Sequence, residues 1–334
     1  MKYGIDYLKL KLHERQRRRK LILAALIAIL LLSLLINVKI GSVPIPFNDI
    51  FNMHTRMGEI FWFIRLPRLV LAVVVGAALS VSGAVMQGLF RNPMAGPYLL
   101  GISAGAGVGG AIGFLMGGLY SVNVMAFVGA ILPTYISYRL SKTRYGANIL
   151  ILVLAGIAIS ALLSSLITLL LFFAGNQLHN IFFWLMGSLS NAEWNVLLLC
   201  AIPVVASLIA IIRLSPELNA LALGEETASS IGIDTEHYKK LFLLLSSLLT
   251  SSSVATSGII GFVGLVIPHI CKLLFGYDSR IVIPTSALIG STFMLWSDAL
   301  SRSVISPAEI PIGIVTSLVG APFFMYLLLR KKDR

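Results

Sequence analysis

Residue types that usually carry catalysis or bind metals are scattered along this sequence. The five histidines lie far apart, and Cys200 and Cys271 occur in separate apolar segments without the spacing of a metal site. The phosphate-loop pattern G-x-x-x-x-G-K-[ST] does not occur. We therefore predict no cofactor, no metal site and no catalytic residue, and we interpret both cysteines as reduced packing residues.

Three arginines form a different kind of candidate site. Arg65 and Arg68 belong to an RLPR segment, and Arg302 lies four residues after Asp298, which is the spacing of a helical ion pair. Because exposed pairs contribute only about 0.2–1 kcal/mol, such arginines would orient an acidic partner more than hold it. The alternative is that they reach out to lipid phosphates.

The stretch from Ser215 to Asp234 reads SPELNALALGEETASSIGID and predicts two short helices broken at Gly224. We expect Ser215 to cap the first helix, with Pro216 at its first helical position. Since two short amphipathic helices have little of their own to pack against, two interpretations remain. The hairpin lies on lipid, or it docks a soluble partner.

Two further segments have both a functional and a structural interpretation. In RNPMAGPYLLG, Pro93 and Pro97 exclude a continuous helix, so this backbone forms either a pore constriction or an ordinary tight turn. Eight serines and threonines between Ser246 and Ser257 either bind neighbouring helices or line a wetted path, and we favour the first.

The composition determines which elements must position these residues. Apolar residues make up 57% of the chain and charged residues 12%, whereas soluble domains carry about 25% charged residues. Lipid is therefore the expected solvent. We predict an all-α polytopic membrane protein with about ten transmembrane helices, at 21–37, 67–88, 97–116, 122–140, 149–173, 195–213, 240–257, 259–275, 282–301 and 310–329.

The distribution of basic residues predicts the orientation. If the first span starts inside, 21 of the 26 Lys and Arg residues lie on the cytoplasmic side, and the five outside are Lys39, Arg56, Arg65, Arg68 and Arg302. We therefore expect a multi-pass protein of the cell membrane with both termini cytoplasmic. This clustering beside apolar spans also argues against nucleic acid as a partner.

We divide the chain into a basic cytoplasmic segment, 1–20, and a single transmembrane domain, 21–334, whose hairpin lies at about 215–234. Gly101, Gly105, Gly109, Gly113 and Gly117 recur every four residues, which predicts close packing of one helix face against a neighbour.

Six ordered blocks resemble the FecCD-type permeases, the membrane subunits of ABC importers for vitamin B12, haem and iron–siderophore complexes. They are GSVPIPFNDIF, the stretch from RLPRLVL to GISAGAG, WLMGSLS, LNALALGEETASSIGID, GIIGFVGLVIPHICKLLFG and IPIGIVTSLVGAPFFMYLLL. The resemblance implies a type II importer permease fold of ten helices and a homodimer with the path between its copies. Two ABC ATPase subunits bind inside and a substrate-binding protein binds outside.

The resemblance also implies roles for individual residues. The family's ATPase-coupling helices match Leu221, Gly224, Glu225, Ala228 and Gly232. Arginines that meet acidic residues of the binding protein match Arg65, Arg68 and Arg302. A cytoplasmic gate matches Asn92, Pro93 and Met94, although the family commonly has Leu at the position of Met94.

Two other classes of protein remain as alternatives. An ion-gradient-driven secondary transporter should carry acidic residues at the midplane, but residues 60–192 contain none, and Asp298 is the only plausible candidate. A membrane enzyme needs clustered nucleophiles, bases or metal ligands, and the sequence indicates no such cluster. For the importer we expect an apolar, hydroxylated path without fixed charge, an iron chelate as the first choice of substrate, and cobalamin, haem or an oxyanion as others.

Overall fold

The structure is a computed structural model, and it describes residues 2–41, 55–143 and 146–332. Predictions about the GSVPIPFNDIF block after Gly41, and about Arg144 and Arg334, lie outside the described residues. The two residues of each strand Lys142–Thr143 (β1) and Gly146–Ala147 (β2) pair in one antiparallel ladder. All other regular structure in the described part of the chain is helical.

Each of the ten predicted spans corresponds to a helix, which confirms the all-α fold class. The helices are α1 Lys2–Lys39, α2 Arg56–Leu89, α3 Ile102–Met116, α4 Leu119–Ser141, α5 Ile149–Phe173, α6 Leu178–Leu185, α7 Trp194–Arg213, α8 Ser215–Leu223, α9 Glu225–Ser230, α10 Thr235–Ser257, α11 Val263–Phe275, α12 Ser279–Ser303 and α13 Ile312–Lys332. Only the short helices α6, α8 and α9 were not predicted as spans.

Helix bounds differ from the prediction at several places, including α1, α2, α3 and α11, of which α2 begins at Arg56 rather than at 67 and α3 at Ile102 rather than at 97. The basic segment does not precede the first helix but belongs to it, since α1 begins at Lys2. The span predicted at 259–275 begins only at Val263, because Gly258 and Phe262 adopt positive φ angles and unwind the chain before it. With 13 residues, α11 is about 20 Å long and is shorter than the apolar core of a bilayer.

Several helices have the length and composition of membrane spans. Within the described residues, α1, α2, α4, α5, α7 and α12 each contain a sufficiently long apolar stretch, and α3, α11 and Ile312–Tyr326 of α13 are shorter apolar helices. The hydroxyl-rich α10 is the tenth helix at a predicted position. The chain is therefore a multi-pass membrane protein.

Helix α2 lies at the centre of the bundle. It packs against α12, α10, α11 and α7, and its side chains from Leu69 to Leu89 are almost all buried. By contrast, α5 turns most of its apolar side chains outward, including Leu162 and Phe172. This pattern fits a bundle whose periphery faces lipid or another apolar surface.

Small residues set the distance between the central helices. A Cβ at Gly83 of α2 would collide with the carbonyl oxygen of Gly264 in α11. The predicted stripe behaves likewise, because a Cβ at Gly105 or Gly109 of α3 would collide with backbone carbonyls of α4. Such contacts bring backbones close enough for dispersion attraction to hold helices together in lipid.

Candidate functional site

The three predicted arginines meet in one cluster where α2 begins and α12 ends, a region called here the arginine end. The Arg68 Nε donates to Asp298 Oδ1 at 2.9 Å, and the Arg302 Nε lies 3.0 Å from Asp298 Oδ2. The Arg302 Nη1 donates to the carbonyl of Ile40 at 2.8 Å. Arg65 reaches the same end of α1, donating to Val38 O at 3.0 Å.

The cluster contains a second acid that sequence reasoning missed. Glu309 accepts both outer nitrogens of Arg68, with Nη1 to Oε1 at 2.8 Å and Nη2 to Oε2 at 2.9 Å. This fork-to-fork geometry is the strong form of the arginine–carboxylate pair. The sequence does contain a clue, because Glu309 is an acidic residue directly before the last predicted span and therefore lies at a helix end.

The expectation of exposed arginines is wrong in this structure. Arg65, Arg68 and Arg302 are 6%, 8% and 7% exposed, and Asp298 is fully buried. The reason is that each guanidinium group binds within the protein, to Asp298, to Glu309 or to the backbone carbonyls of Val38 and Ile40. The predicted pair of Asp298 with Arg302 is present, but as a buried ion pair, whose loss costs far more than that of an exposed one.

The predicted hairpin lies at the opposite end of α2, called here the hairpin end, and it consists of α8 and α9. Contrary to expectation it has much to pack against, since Leu218, Leu221 and Ala228 are buried, and Leu218 contacts α2 beside Gly88. Leu223 and Ile231 are exposed instead, with exposed fractions of 73% and 64%, and Leu223 also borders the large cavity described below. The sequence pattern placed Leu223 on the same apolar side as Leu218 and Leu221, and it did not predict that Leu223 and Ile231 are exposed.

Backbone geometry explains the sharp break between α8 and α9. Gly224 has φ +129°, which residues with a Cβ rarely adopt, and Gly232 closes α9 with φ +87°. The predicted cap at Ser215 is wrong. Ser215 is the first residue of α8, and Leu214 is the single residue between α7 and α8, where it occupies both cap positions without a side-chain hydrogen bond.

Polar contacts fix α8 to the start of α12. The Asn219 Nδ2 donates to Asp278 Oδ1 at 2.8 Å, and the Ser279 N–H donates to Asn219 Oδ1 at 2.7 Å. Asp278 also pairs with Arg19 of α1. Burial raises the pKa of Asp278, but the hydrogen bonds from Asn219 and the Arg280 N–H and the charge of Arg19 lower it overall.

A second brace holds α9. The buried Lys239 of α10 donates to Glu225 Oε2 at 2.8 Å and to the carbonyl of Ala147 in β2 at 3.3 Å. Glu236 accepts from the Ala147 N–H at 3.0 Å, which joins the ladder to the same network. Glu225, expected to contact a partner, is thus also bound within its own chain.

The predicted gate segment is irregular, as its prolines require. The Met94 N–H donates to Asn92 Oδ1 at 2.9 Å, and the Ala95 N–H donates to Asn92 O at 3.1 Å, so Asn92 builds a tight turn with its own backbone. Asn92 and Met94 are exposed, and Pro93 lines a cavity.

That cavity opens at the hairpin end and measures about 1510 Å³. The end of α2, the hairpin, α11, the first turns of α12 and α13 form its walls. Lys272, Arg91 and Asp278 are among the lining residues, so the expectation of an interior without fixed charge is wrong for this cavity.

The hydroxyl run of α10 is buried among helices, and of its members only Thr256 lines a second cavity, of about 380 Å³, in the described part of the chain. The Ser82 hydroxyl of α2 is 2.8 Å from that of Thr250 and donates to Ser246 O at 3.1 Å. Most of the other hydroxyls donate to carbonyls one turn earlier in α10, as Ser247 and Ser253 do. Binding between helices was the favoured interpretation, and one such contact joins α2 and α10.

Comparisons with known proteins agree with this architecture. The chain is 40% identical over 325 residues to the hemin transport system permease protein HmuU of Yersinia pestis, covering 94% of this chain and 97% of that protein. It is 39% identical over 328 residues to the vitamin B12 import system permease protein BtuC of Klebsiella pneumoniae, covering 96% and 97%.

A solved structure has the same fold. An inward-facing metal-chelate type ABC transporter superposes with a TM-score of 0.85 at 34% identity, covering 92% of this chain and 99% of that chain. The model of the FecCD transport family matches residues 29–330. Because the match includes the spans, the arginine end and the hairpin, the chain belongs to the FecCD transport family.

Proposed function

We propose that this chain, a membrane permease of the ABC transporter class by its family, forms half of an import path for a metal chelate. The observation that carries the proposal is the braced hairpin. Asn219 and Glu225 fix it on two sides, while Leu223 and Ile231 remain exposed. A rigid element with an apolar outer surface is suited to bind another protein and to pass on its movement.

The hairpin is proposed to dock an ABC ATPase subunit, with Leu221, Gly224, Glu225, Ala228 and Gly232 shaping it and Leu223 and Ile231 in contact. ATP hydrolysis belongs to that separate subunit, which is supported by the missing phosphate loop. Coupling requires the hairpin to interact differently with the nucleotide-bound and nucleotide-free ATPase.

At the opposite end, Arg65, Arg68 and Arg302 are proposed to orient an external substrate-binding protein. Counting only residues that the structure describes, three neighbouring guanidinium groups share two carboxylates, Asp298 and Glu309, which leaves one more positive than negative charge in the cluster. Glu309 is its accessible member, with 39% of its side chain exposed. An acidic residue of the partner would exchange with Glu309 at Arg68.

We propose that two copies of the chain enclose the path. In support, several residues at the mouth of the large cavity are mostly exposed, among them Tyr277 and Tyr326, so a single copy leaves one wall open. The turn at Asn92, Pro93 and Met94 would form the cytoplasmic gate there. The clustering of 21 of 26 basic residues supports cytoplasmic termini.

The cargo is proposed to be a metal chelate such as an iron complex. Relatives are named for hemin and vitamin B12, and the similar structure is of the metal-chelate type. The gradient-driven alternative is weakened, because its main candidate residue, Asp298, is buried and held in ion pairs with Arg68 and Arg302.

Uptake into proteoliposomes that contain the permease with its cognate ABC ATPase and substrate-binding protein tests the proposal. Replacing Gly224 with Leu should reduce uptake below about a tenth while ATP hydrolysis continues, since a Cβ is strained at φ +129°. Gly118→Leu, another glycine with positive φ but far from the hairpin, is the control. Wild-type uptake by Gly224→Leu, or uptake that survives ATP depletion, would contradict the proposal.

A further inference from the structure

The cavity at the hairpin end is large enough to hold a cargo molecule. Small-molecule sites measure roughly 300–1,000 Å³, and this cavity reaches about 1510 Å³. Its lining is mainly apolar, with a few polar side chains that converge from α2, α8 and α11. An apolar cavity with few convergent polar groups is the usual form of a ligand site.

One of these polar groups is a lysine held in place by the protein. The Lys272 Nζ donates to Gln87 Oε1 at 3.1 Å, and the Gln87 Nε2 donates to Leu265 O at 2.9 Å. Gln87 is only 2% exposed. Because its amide nitrogen is bound by the carbonyl, its oxygen must face Lys272, and the position of the ammonium group is thereby fixed.

The lysine has hydrogen-bonding capacity left. An ammonium group carries three donors, and Gln87 takes one. Among the residues that the structure describes, no carboxylate lies within 4.0 Å of Lys272. The acidic residue of the cavity wall, Asp278, is bound to Arg19 and Asn219. With Arg91 also in the wall, the cavity has an excess of positive charge.

Orientation in the membrane does not account for this lysine. A basic residue that serves only as a topology signal extends toward lipid phosphates or water. Lys272 instead bonds to the buried Gln87 and lines the cavity. Lys272 stands in the last turn of α11, and within the described part of the chain no carboxylate pairs with it, so a cation fixed by a buried side chain at the cavity indicates a functional site.

We propose that Lys272 binds a carboxylate of the cargo as it passes the hairpin end, so that this permease carries chelates with acidic side groups. Gln87 acts as the positioning residue, and the apolar wall receives the body of the chelate. The contact must be weak enough to release the cargo, as conduction through any path requires. This inference rests on the proposed function, whose permease role it narrows to a class of substrate.

Two porphyrins that differ in their carboxylate charges test directly whether Lys272 binds a carboxylate. Protoporphyrin IX has two propionates, whereas its dimethyl ester has the same ring without these charges, and neither has a metal that His269 of the cavity wall could coordinate. Binding to the purified full-length permease, without ATP, is followed by porphyrin fluorescence. We expect the acid to bind about tenfold more tightly than the ester, the contribution of one charge-assisted hydrogen bond.

The variants separate this site from unspecific uptake of porphyrin into detergent. Lys272→Met should bind acid and ester equally, Lys272→Arg should keep the preference, and Lys240→Met, at an exposed lysine of α10, should behave as wild type. A preference that persists in Lys272→Met, or none in the wild type, would overturn the proposal.

Anionic lipid is the other source of a group that Lys272 could bind. The titration is therefore repeated in nanodiscs of phosphatidylcholine with and without phosphatidylglycerol. If Lys272→Met changes only the retention of phosphatidylglycerol and not the porphyrin preference, the site holds lipid and the cargo proposal is wrong. Since no ATP is present, these results are independent of the uptake experiment that tests the permease role.

Discussion

The arginine end and the hairpin end treat their distinctive residues in opposite ways. At the arginine end, charges that look available in the sequence are buried and paired with Asp298 and Glu309. At the hairpin end, apolar residues divide, with Leu218 and Leu221 buried and Leu223 and Ile231 exposed. The arginine end forms ion pairs within the chain, and the hairpin end leaves part of its apolar surface exposed. Charged groups at the arginine end are therefore bound mainly within the chain, whereas the hairpin end keeps exposed apolar side chains that a partner protein can contact.

Two helices connect these ends. Arg68 and Gly88 stand 20 residues apart on α2, and Asp278 and Asp298 are equally separated at the two ends of α12, a distance of about 30 Å. A displacement of the hairpin therefore acts, through Asn219 and Asp278, on the same helix that holds Asp298. The two ends differ in chemistry but share rigid elements.

The largest expected effect comes from breaking the ion pairs of Asp298 with Arg68 and Arg302. Asp298→Asn keeps the volume but leaves Arg68 and Arg302 without their shared carboxylate. Removing one partner of a buried ion pair costs about 3–5 kcal/mol. Thermal unfolding of the purified protein in detergent should show a clearly lower midpoint.

Glu309→Gln is the matched variant for this test, since its side chain is 39% exposed and Arg68 keeps Asp298. It should cost less than half as much. Equal losses in the two variants would mean that burial does not distinguish these acids.

A smaller effect is expected from loosening the hairpin. Asn219→Leu removes both hydrogen bonds between α8 and the start of α12, with a loss of about 1.5–3 kcal/mol for the bond to the carboxylate. ATP-driven uptake should fall several-fold more than ATP hydrolysis does. Asn195→Leu, at an exposed asparagine of α7, is the control, and a parallel fall of both rates in Asn219→Leu would refute the linkage.

The smallest expected effect is a pH dependence of the stability that Asp278 contributes through its contacts with Asn219 and Arg19. Because the pKa of Asp278 is lowered in the folded protein, its contribution is present above the unfolded value of about 3.9 and is lost as the pH falls through the folded pKa. The difference in unfolding midpoint between wild type and Asp278→Asn should stay constant from about pH 8 to 5 and vanish at strongly acidic pH. A difference that disappears near pH 6 would contradict this assignment.

Local sequence features were sufficient to predict most of the fold. A run of about 20 apolar residues defines a span wherever it occurs, and the stripe from Gly105 to Gly113 predicted a close contact that α3 and α4 form. The starts of α3 and α11 were predicted several residues too early, because the positive φ angles of Gly101 and Phe262, which precede these helices, are not visible in the sequence.

The candidate sites were less predictable, because long-range pairing and exposure are not local properties. Arg68 meets Asp298 and Glu309 across 230 and 241 residues, and Lys272 meets Gln87 across 185. No spacing rule connects such positions. The hairpin pattern could not tell which leucines face α2 and which face outward, since that depends on where the hairpin packs.

We propose that the exposed apolar residues of the hairpin bind the ABC ATPase subunit and that the arginine end binds the external substrate-binding protein. The most direct measurement titrates purified Leu223→Asp permease with the ATPase subunit and, separately, with the binding protein. Because Leu223 is 73% exposed, the fold should tolerate the change. We expect ATPase affinity to fall at least about tenfold and binding-protein affinity to stay within about twofold. Unchanged ATPase affinity, or an equal fall for both partners, would contradict the account.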